Sequence, residues 1–227
     1  MAGIAADASG AAYVTGLTQS YTFPVTPGAA DTNSCTETSD CQGIGFLTKI
    51  SPDGSELVWS TLVGANPVAQ SGGRGTVSLI GPPRLDADGN VYITGEGGFS
   101  VQSYYPLVNP LQPQPPNQQS GIFVTKYDPT GSTISFSTVI YSPSGAGVIP
   151  SGVDVDTQGN IYVAGNTWAA DLPTTADVFQ PVFAGNTVLN SNRNGIIARI
   201  NPFLNATIQL SVAPKTEKPS TPMTSPR

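Results

Sequence analysis

The chain has 227 residues, of which 38% are hydrophobic and 11% charged, so it is too apolar to be disordered throughout. Its 9 basic and 15 acidic side chains leave a net charge of −6, which argues against binding to nucleic-acid phosphates. Because the sequence contains no histidine, histidine-dependent catalytic triads and histidine-ligated zinc sites are excluded. The 25 glycines and 21 prolines favour short strands joined by turns.

The sequence contains no apolar stretch long enough to span a membrane as a helix. Its first residues, MAGIAAD, lack the basic region of a signal peptide and include an acid. We therefore expect the chain to begin inside a folded element, as a truncated reading frame or a piece of a longer protein would.

Two sequence patterns occur three times each in this chain. The first is DASGAAYVTG at 7–16, DADGNVYITG at 86–95 and DTQGNIYVAG at 156–165. The second is FLTKISPDG at 46–54, FVTKYDPTG at 123–131 and IIARINPFL at 196–204. The chain is therefore three copies of one structural unit.

Each copy contains four short β-like runs, which in the first copy cover 3–6, 12–17, 45–50 and 57–63. The Asp-x-x-Gly and Pro-Asp-Gly segments between them are typical of hairpin turns, in which glycine takes a positive φ. The sequence predicts an all-β fold of three four-stranded antiparallel meanders. Such meanders bury both faces by stacking around an axis as propeller blades, with Tyr13, Tyr92 and Tyr162 packed between them.

These patterns, together with Phe23-Pro24 and the run from Phe46 to Thr61, resemble the SBBP repeat, a β-propeller repeat family of large secreted and surface proteins of bacteria. The resemblance covers roughly residues 3–213. It implies a propeller fold and an extracytoplasmic, bacterial setting, and it brings no shared catalytic residues or cofactor.

Three blades are predicted at 1–64, 65–142 and 143–213, followed by a disordered tail rich in Pro, Thr and Ser at 214–227. Pro82-Pro83 should disturb the first strand of blade two. Blade three lacks the aromatic residue of the fourth strand and offers Leu210 instead. Propellers close with four to eight blades. The chain is therefore expected to be a fragment of a longer propeller, to assemble with other copies through the unclosed blades, or to remain an isolated open arc.

The connections between the second and third strands are long, at about 18–44, 96–121 and 167–195, and are expected on one face of the propeller. This face is the first candidate for binding a protein or carbohydrate. The rings expected to be exposed there are Phe23, Tyr104, Tyr105 and Trp168. The competing interpretation is that Phe23-Pro24, Tyr105-Pro106 and Leu172-Pro173 pack back onto their blades.

Cys35 and Cys41 lie in one of these loops and are the only two cysteines. A small disulfide ring is the favoured interpretation in an oxidising compartment, with free thiols as the alternative. Two cysteines are too few for a cysteine-only metal site.

The run Asp86-Ala87-Asp88-Gly89-Asn90 resembles part of a calcium-binding loop but is not followed by the distal glutamate that such a loop requires. Asp7 and Asp156 occupy the same turn in the other copies. We therefore predict that these aspartates cap hairpin turns, and we predict no metal and no cofactor.

Aligning the first strands places Ala5, Arg84 and Asp154 at one position near the propeller axis. We expect Arg84 and Asp154 to form an ion pair between neighbouring blades, with their charged groups within about 6 Å. The pair is either purely structural or part of the lining of an axial pocket.

The favoured function is a noncatalytic scaffold or binding module, since no nucleophile with a nearby base can be recognised. The alternative is a propeller enzyme, a glycosidase or lyase that uses a pair of carboxylates. Candidate acids are Glu37, Asp40, Glu96, Asp154 and Asp171.

Overall fold

The computed structural model describes residues 3–33, 43–64, 77–79, 81–99, 105–115, 119–175, 178, 182, 193–202 and 209–213. These residues form thirteen strands, β1 to β13, in three antiparallel sheets. The described residues include no helix that could cross a membrane. The predicted all-β class is confirmed.

The first sheet is a meander in the order β1-β2-β3-β4. Its strands are β1 Gly3–Ala6, β2 Ala12–Thr18, β3 Ile44–Ile50 and β4 Leu57–Val63. All four run within one residue of the bounds expected from the sequence. The turn between β1 and β2 has Gly10 at φ 88°, a conformation that glycine adopts without steric cost.

In the second sheet, the first strand is split into two pieces that both pair with β7. Its strands are β5 Val77–Leu79, β6 Arg84–Leu85, β7 Val91–Phe99, β8 Gln119–Tyr127 and β9 Ile134–Tyr141. Pro82 and Pro83 lie between the pieces. Since proline has no amide hydrogen to donate to a ladder, the disturbance predicted there is present.

The third sheet has the order β10-β11-β12-β13. Its strands are β10 Val148–Val155, β11 Ile161–Thr167, β12 Asn194–Ile200 and β13 Gln209–Ala213. Arg199 pairs with Gln209, as Lys49 pairs with Trp59 and Lys126 with Phe136. The residue in place of the aromatic is therefore Gln209, and the sequence-based alignment with Leu210 is wrong by one position.

The three sheets pack face to face as blades of an open propeller, and we call them blades one, two and three. One buried cluster joins blades one and two, and it includes Tyr13, Trp59 and Phe123. A second cluster joins blades two and three through Tyr92 and Phe136. The predicted inter-blade role of Tyr13 and Tyr92 is confirmed, since they are 1% and 0% exposed.

Blade two has two buried faces because alternate residues of a strand point to opposite sides of a sheet. Along β8, Phe123 belongs to the cluster with blade one, whereas Ile122 and Val124 belong to the cluster with blade three. All three side chains are fully buried. The central sheet therefore carries apolar residues at consecutive positions, as strands covered on both faces do.

The described parts of the long connections do not all stand on one face of the propeller, which corrects the sequence-based expectation. In blade one, Thr26 N donates to Ser60 O and Leu62 N donates to Asp31 O, so this segment follows β4. In blade two, Val108 pairs with Ser137 of β9 in the same way. These segments pair with an otherwise open strand edge, which protects it from association with other strands.

Candidate functional site

Each blade has a polar cluster of an aspartate, a tyrosine and a cation at its turn end, which we call the turn cluster. In blade two the tyrosine Tyr92 donates its hydroxyl to Asp86 Oδ2 at 2.8 Å, and Lys126 Nζ lies 3.6 Å from the same oxygen. Lys126 Nζ also lies 5.2 Å from the centre of the Tyr92 ring, within cation–π range. Lys126 is only 8% exposed, so its charge is balanced inside the protein.

The same turn cluster is present in the other two blades. In blade one Tyr13 donates to Asp7 Oδ2 at 3.2 Å, and Lys49 Nζ is 3.3 Å from that oxygen. In blade three Tyr162 donates to Asp156 Oδ2 at 3.1 Å, and Arg199 Nε donates to the Tyr162 hydroxyl at 3.2 Å. Each tyrosine and its cation are directly opposite each other on neighbouring strands, so the sheet register brings them together.

The aspartate of each turn cluster also caps its own hairpin turn. Asp86 Oδ1 accepts from the backbone amides of Asp88 and Asn90, and Asp156 Oδ1 accepts from those of Gln158 and Asn160. The predicted capping role is confirmed. Among the residues that the structure describes, no group of three or more His, Cys, Asp or Glu side chains could hold a metal ion.

Hydrogen bonding keeps these aspartates ionised. The Ser9 hydroxyl and nearby backbone amides hold the pKa of Asp7 well below its ordinary value. Burial alone would raise the pKa of Asp86, but hydrogen bonds from Asn90 and Tyr92 outweigh it, so the net shift is downward. The Asn160 side chain likewise lowers the pKa of Asp156. Such carboxylates are suited to accepting hydrogen bonds, whereas a general acid requires a raised pKa.

We predict that the free energy of unfolding is nearly constant between about pH 5 and 8 and falls below about pH 4. In the folded state Asp7, Asp86 and Asp156 have lowered pKa values, so the unfolded chain binds protons first as the pH falls. Their stabilising contribution is full above the unfolded pKa and is lost below it. With no histidine, no side chain has an ordinary pKa in the flat range.

Urea unfolding followed by circular dichroism at several pH values checks this profile. An unfolding midpoint that drops between about pH 8 and 5 would contradict it. A chain carrying Asp86→Asn should show a shallower decline below about pH 4, because one of the titrating groups is removed.

The predicted pair between Arg84 and Asp154 is present, with Arg84 Nε 3.5 Å from Asp154 Oδ1. Arg84 Nε also donates to the Val153 carbonyl at 3.2 Å. The two side chains are 47% and 71% exposed, so solvent screens the pair and it contributes little to stability. It links the first strands of blades two and three.

Close to this pair, a cleft of about 260 Å³ separates the first turns of blades two and three. Its walls include Leu85, Asp86 and Lys126 on one side and Val155 and Asp156 on the other. Asp86 and Lys126 already bind each other, and Asp156 caps its own turn, so the cleft is the gap between two capped turns. Among the described residues that line this cleft, no contact points to a bound ligand.

Tyr105 is not the exposed ring that was expected on the loop face. It is 1% exposed and stacks on Phe123 with ring centres 4.6 Å apart, and its hydroxyl contacts the Thr125 hydroxyl at 2.9 Å. Phe23 packs against Phe46 with ring centres also 4.6 Å apart, in a tilted arrangement, and it is half-buried. The competing interpretation, in which these residues pack back onto their blades, is correct for both.

Leu172 fills the corresponding place in blade three, where it lies in a buried cluster with Ile196. The repeated apolar residue before proline therefore anchors each long connection to its own blade. A binding role for Tyr105 is excluded by its burial.

Trp168 is the remaining described ring of the predicted set. It directly follows β11 and is half-buried, and the guanidinium of Arg193 lies 4.4 Å from the centre of a Trp168 ring. Gly147 also approaches the Trp168 ring closely, since a Cβ there would lie 2.9 Å from Trp168 Cζ3. Gln19 and Gly98 stand at the corresponding positions of blades one and two, so this tryptophan belongs to blade three alone.

The described candidate acids have separate structural partners. Glu96 Oε1 accepts from the Ser120 hydroxyl at 2.7 Å. Asp171 accepts from the hydroxyls of Ser142 and Ser144, which belong to the connection between blades two and three. Burial opposes ionisation of Asp171, but these hydrogen bonds lower its pKa below the ordinary value. Glu37, Asp40, Cys35, Cys41 and Tyr104 lie outside the described residues, so the disulfide stays a prediction.

The cation of the turn cluster is what sequence reasoning missed. Lys49, Lys126 and Arg199 stand at one position of the second repeated pattern. A charged residue recurring in an otherwise apolar strand could have indicated a buried partner, because isolated charges are not buried. The sequence predicted a turn-capping role for the aspartate and a core position for the tyrosine, but not the contact between them.

Two comparisons with known proteins bear on this arrangement. Residues 144–173 match a family model described as SBBP, beta-propeller repeat. This segment covers β10, the first turn of blade three and β11, and it ends one residue after Leu172. A search of curated proteins finds no match.

Proposed function

Because residues 144–173 carry a β-propeller repeat, we propose that the chain is a noncatalytic propeller module of a secreted or cell-surface bacterial protein that binds a protein or carbohydrate. The single observation that carries the binding part is the departure of Trp168 from the repeat. Residues found at the same place in every blade hold the blades together. A large ring found in one blade only is free of that structural requirement.

The surroundings of Trp168 suit recognition of a polar ligand. The ring is half-buried, so part of its apolar face is held in place by Gly147 and its neighbours. Arg193, which is exposed, adds hydrogen-bond donors beside it. A flat apolar ring next to a hydrogen-bond donor is suited to sugars, whose ring faces stack on aromatic residues and whose hydroxyls accept hydrogen bonds. The same arrangement is suited to peptide side chains.

The noncatalytic part of the proposal is supported by the roles of the described carboxylates. Those of the turn clusters cap turns and neutralise cations, and Asp171 fastens a connection between blades. The secreted setting is supported by the resemblance to secreted repeat proteins and by Cys35 and Cys41, which are expected to form a disulfide.

The binding proposal is tested with arrays of glycans and peptides probed with the full chain. We predict that Trp168→Ala weakens binding of any captured ligand by about tenfold or more, because a central aromatic contact is lost. The matched control is Tyr21→Ala, since Tyr21 is 45% exposed and also follows the second strand of its blade. Equal affinities for the wild type and Trp168→Ala would contradict this site.

The noncatalytic proposal has its own test. The chain should release no product from glycoside and uronic-acid polysaccharide substrates over long incubation. Turnover that is abolished by Asp154→Asn or Glu96→Gln would overturn it and would favour the glycosidase or lyase alternative.

A further inference from the structure

Blade three exposes side chains on a face that the other two blades bury. We call the side of a blade that faces the next blade along the chain its leading face. At one leading-face position, Leu47 of blade one and Val124 of blade two are both 0% exposed, whereas Ile197 of blade three is 52% exposed. At another, Thr15 and Thr94 are buried. The equivalent Ala164 is exposed.

The tyrosine of the turn cluster shows the same difference in burial between the blades. Tyr13 and Tyr92 are buried under the next blade, while Tyr162 is only half-buried. The leading face of blade three thus has the residues of a blade interface without the blade that covers them in the two internal cases.

We call the side of a blade that faces the preceding blade its trailing face. In blade one this side is open. In blade two the trailing-face residues Ile93, Phe123 and Tyr127 are buried against blade one. Their equivalents in blade one, Val14, Phe46 and Ile50, are only partly buried. Nearby on β1, Ile4 is 66% exposed.

We propose that two copies of this chain assemble head to tail, with the leading face of blade three in one copy packed on the trailing face of blade one in the other. A second copy fits these faces because it carries the same interface residues. The chain already contains this junction twice, between blades one and two and between blades two and three. The two open faces are the two halves of a third junction.

Arg199, the cation of the turn cluster on the leading face, does not oppose this packing. Arg199 would be covered there, but Lys126 at the same position is already buried between blades two and three with its carboxylate and tyrosine. Arg199 contacts Tyr162, which in turn donates to Asp156. The cation therefore enters the interface with its partners in place.

The geometry of propellers also favours this arrangement. A head-to-tail interface closes into a ring when the rotations sum to a full turn, and otherwise it extends into a filament. Two three-bladed arcs supply six blades, which lies within the usual four to eight. Closure by two copies buries both open faces at once.

Sedimentation equilibrium of the full chain tests the assembly. The mass of one chain is 23.4 kDa, and we predict a species of about twice that value at micromolar concentration. A single species of one-chain mass up to about 100 μM would overturn the proposal. It would leave further repeats of a longer protein as the cover of these faces.

A matched pair of variants distinguishes association through this interface from nonspecific hydrophobic association. We predict that Ile197→Glu weakens association by about 100-fold, because it places a charge at the centre of the junction. Val58→Glu is the control, since Val58 is 47% exposed and its equivalent in blade two, Ser135, is exposed as well. Equal effects of the two substitutions would overturn the proposal.

Mixing variants tests the head-to-tail orientation. Ile4→Glu damages the trailing face and Ile197→Glu the leading face, so each variant alone has no intact junction. In a mixture, the intact leading face of one variant meets the intact trailing face of the other, and association should exceed that of either alone by about tenfold or more. No recovery in the mixture would overturn the orientation. Ligand binding plays no part in this readout, so the outcome is independent of the proposed function.

Discussion

Phe123→Ala should lower the free energy of unfolding by about 4 kcal/mol, the range seen when a buried phenylalanine leaves a cavity. Phe123 is fully buried between blades one and two and stacks on Tyr105 at 4.6 Å. Its ring also covers Gly95, where a Cβ would lie 2.6 Å from the ring. Removing it therefore breaks the blade junction and detaches the anchor of the long connection. Urea unfolding monitored by circular dichroism measures the loss.

The matched control is Phe46→Ala, measured on protein dilute enough that copies do not associate. Phe46 occupies the equivalent position, contacts the Phe23 ring at 4.6 Å and covers Gly16 in the same way, but it lies on the open face of blade one. We expect a loss of about 2 kcal/mol, because the side chain is only partly buried. Equal losses for both variants would show that inter-blade burial does not determine the effect.

Asp86→Ala should lower the free energy of unfolding by about 4 kcal/mol, as expected when one partner of a buried ion pair is removed. The substitution takes the carboxylate away from Lys126, which is 8% exposed, and from the Tyr92 hydroxyl. It also removes the cap from the backbone amides of Asp88 and Asn90. The same unfolding measurement detects the loss.

Two further variants separate the causes of this effect. Asp128→Ala removes a similar turn cap, in which Asp128 Oδ1 accepts from the backbone amides of Ser132 and Thr133. Since no described ion pair joins Asp128 to a cation, we expect the free energy of unfolding to fall by only about 1 kcal/mol. Asp86→Ala combined with Lys126→Met should be more stable than Asp86→Ala alone, because the buried charge is also removed. A double variant as unstable as the single one would contradict the role assigned to the ion pair.

The repeat made most of the fold predictable from sequence. Asp7, Asp86 and Asp156 fix the first turns, and each glycine three residues later has the positive φ that the turn requires. These are local features, so they are readable without tertiary information. The position of blade three's fourth strand was less readable, because Gln209 has no aromatic ring to mark the register.

The candidate site was less predictable, since exposure is a property of the assembled molecule. Phe23, Tyr105 and Trp168 all look like loop aromatics, yet Tyr105 is fully buried and Phe23 lies on its own blade. Sequence spacing could not show that the long connections turn back along β4 and β9. The Arg84 and Asp154 pair was readable because it depends only on the alignment of adjacent first strands.

The sequence by itself determined that this protein is a set of three like β-sheets, because turn chemistry and alternating apolar residues act over a few neighbouring positions. Only the tertiary structure decided which copies of each repeated residue are covered. Leu47, Val124 and Ile197 occupy one position, but the first two lie under the next blade and the third does not. Burial depends on what packs against a face, and the similar apolar residues at this position do not show which blade has an open side.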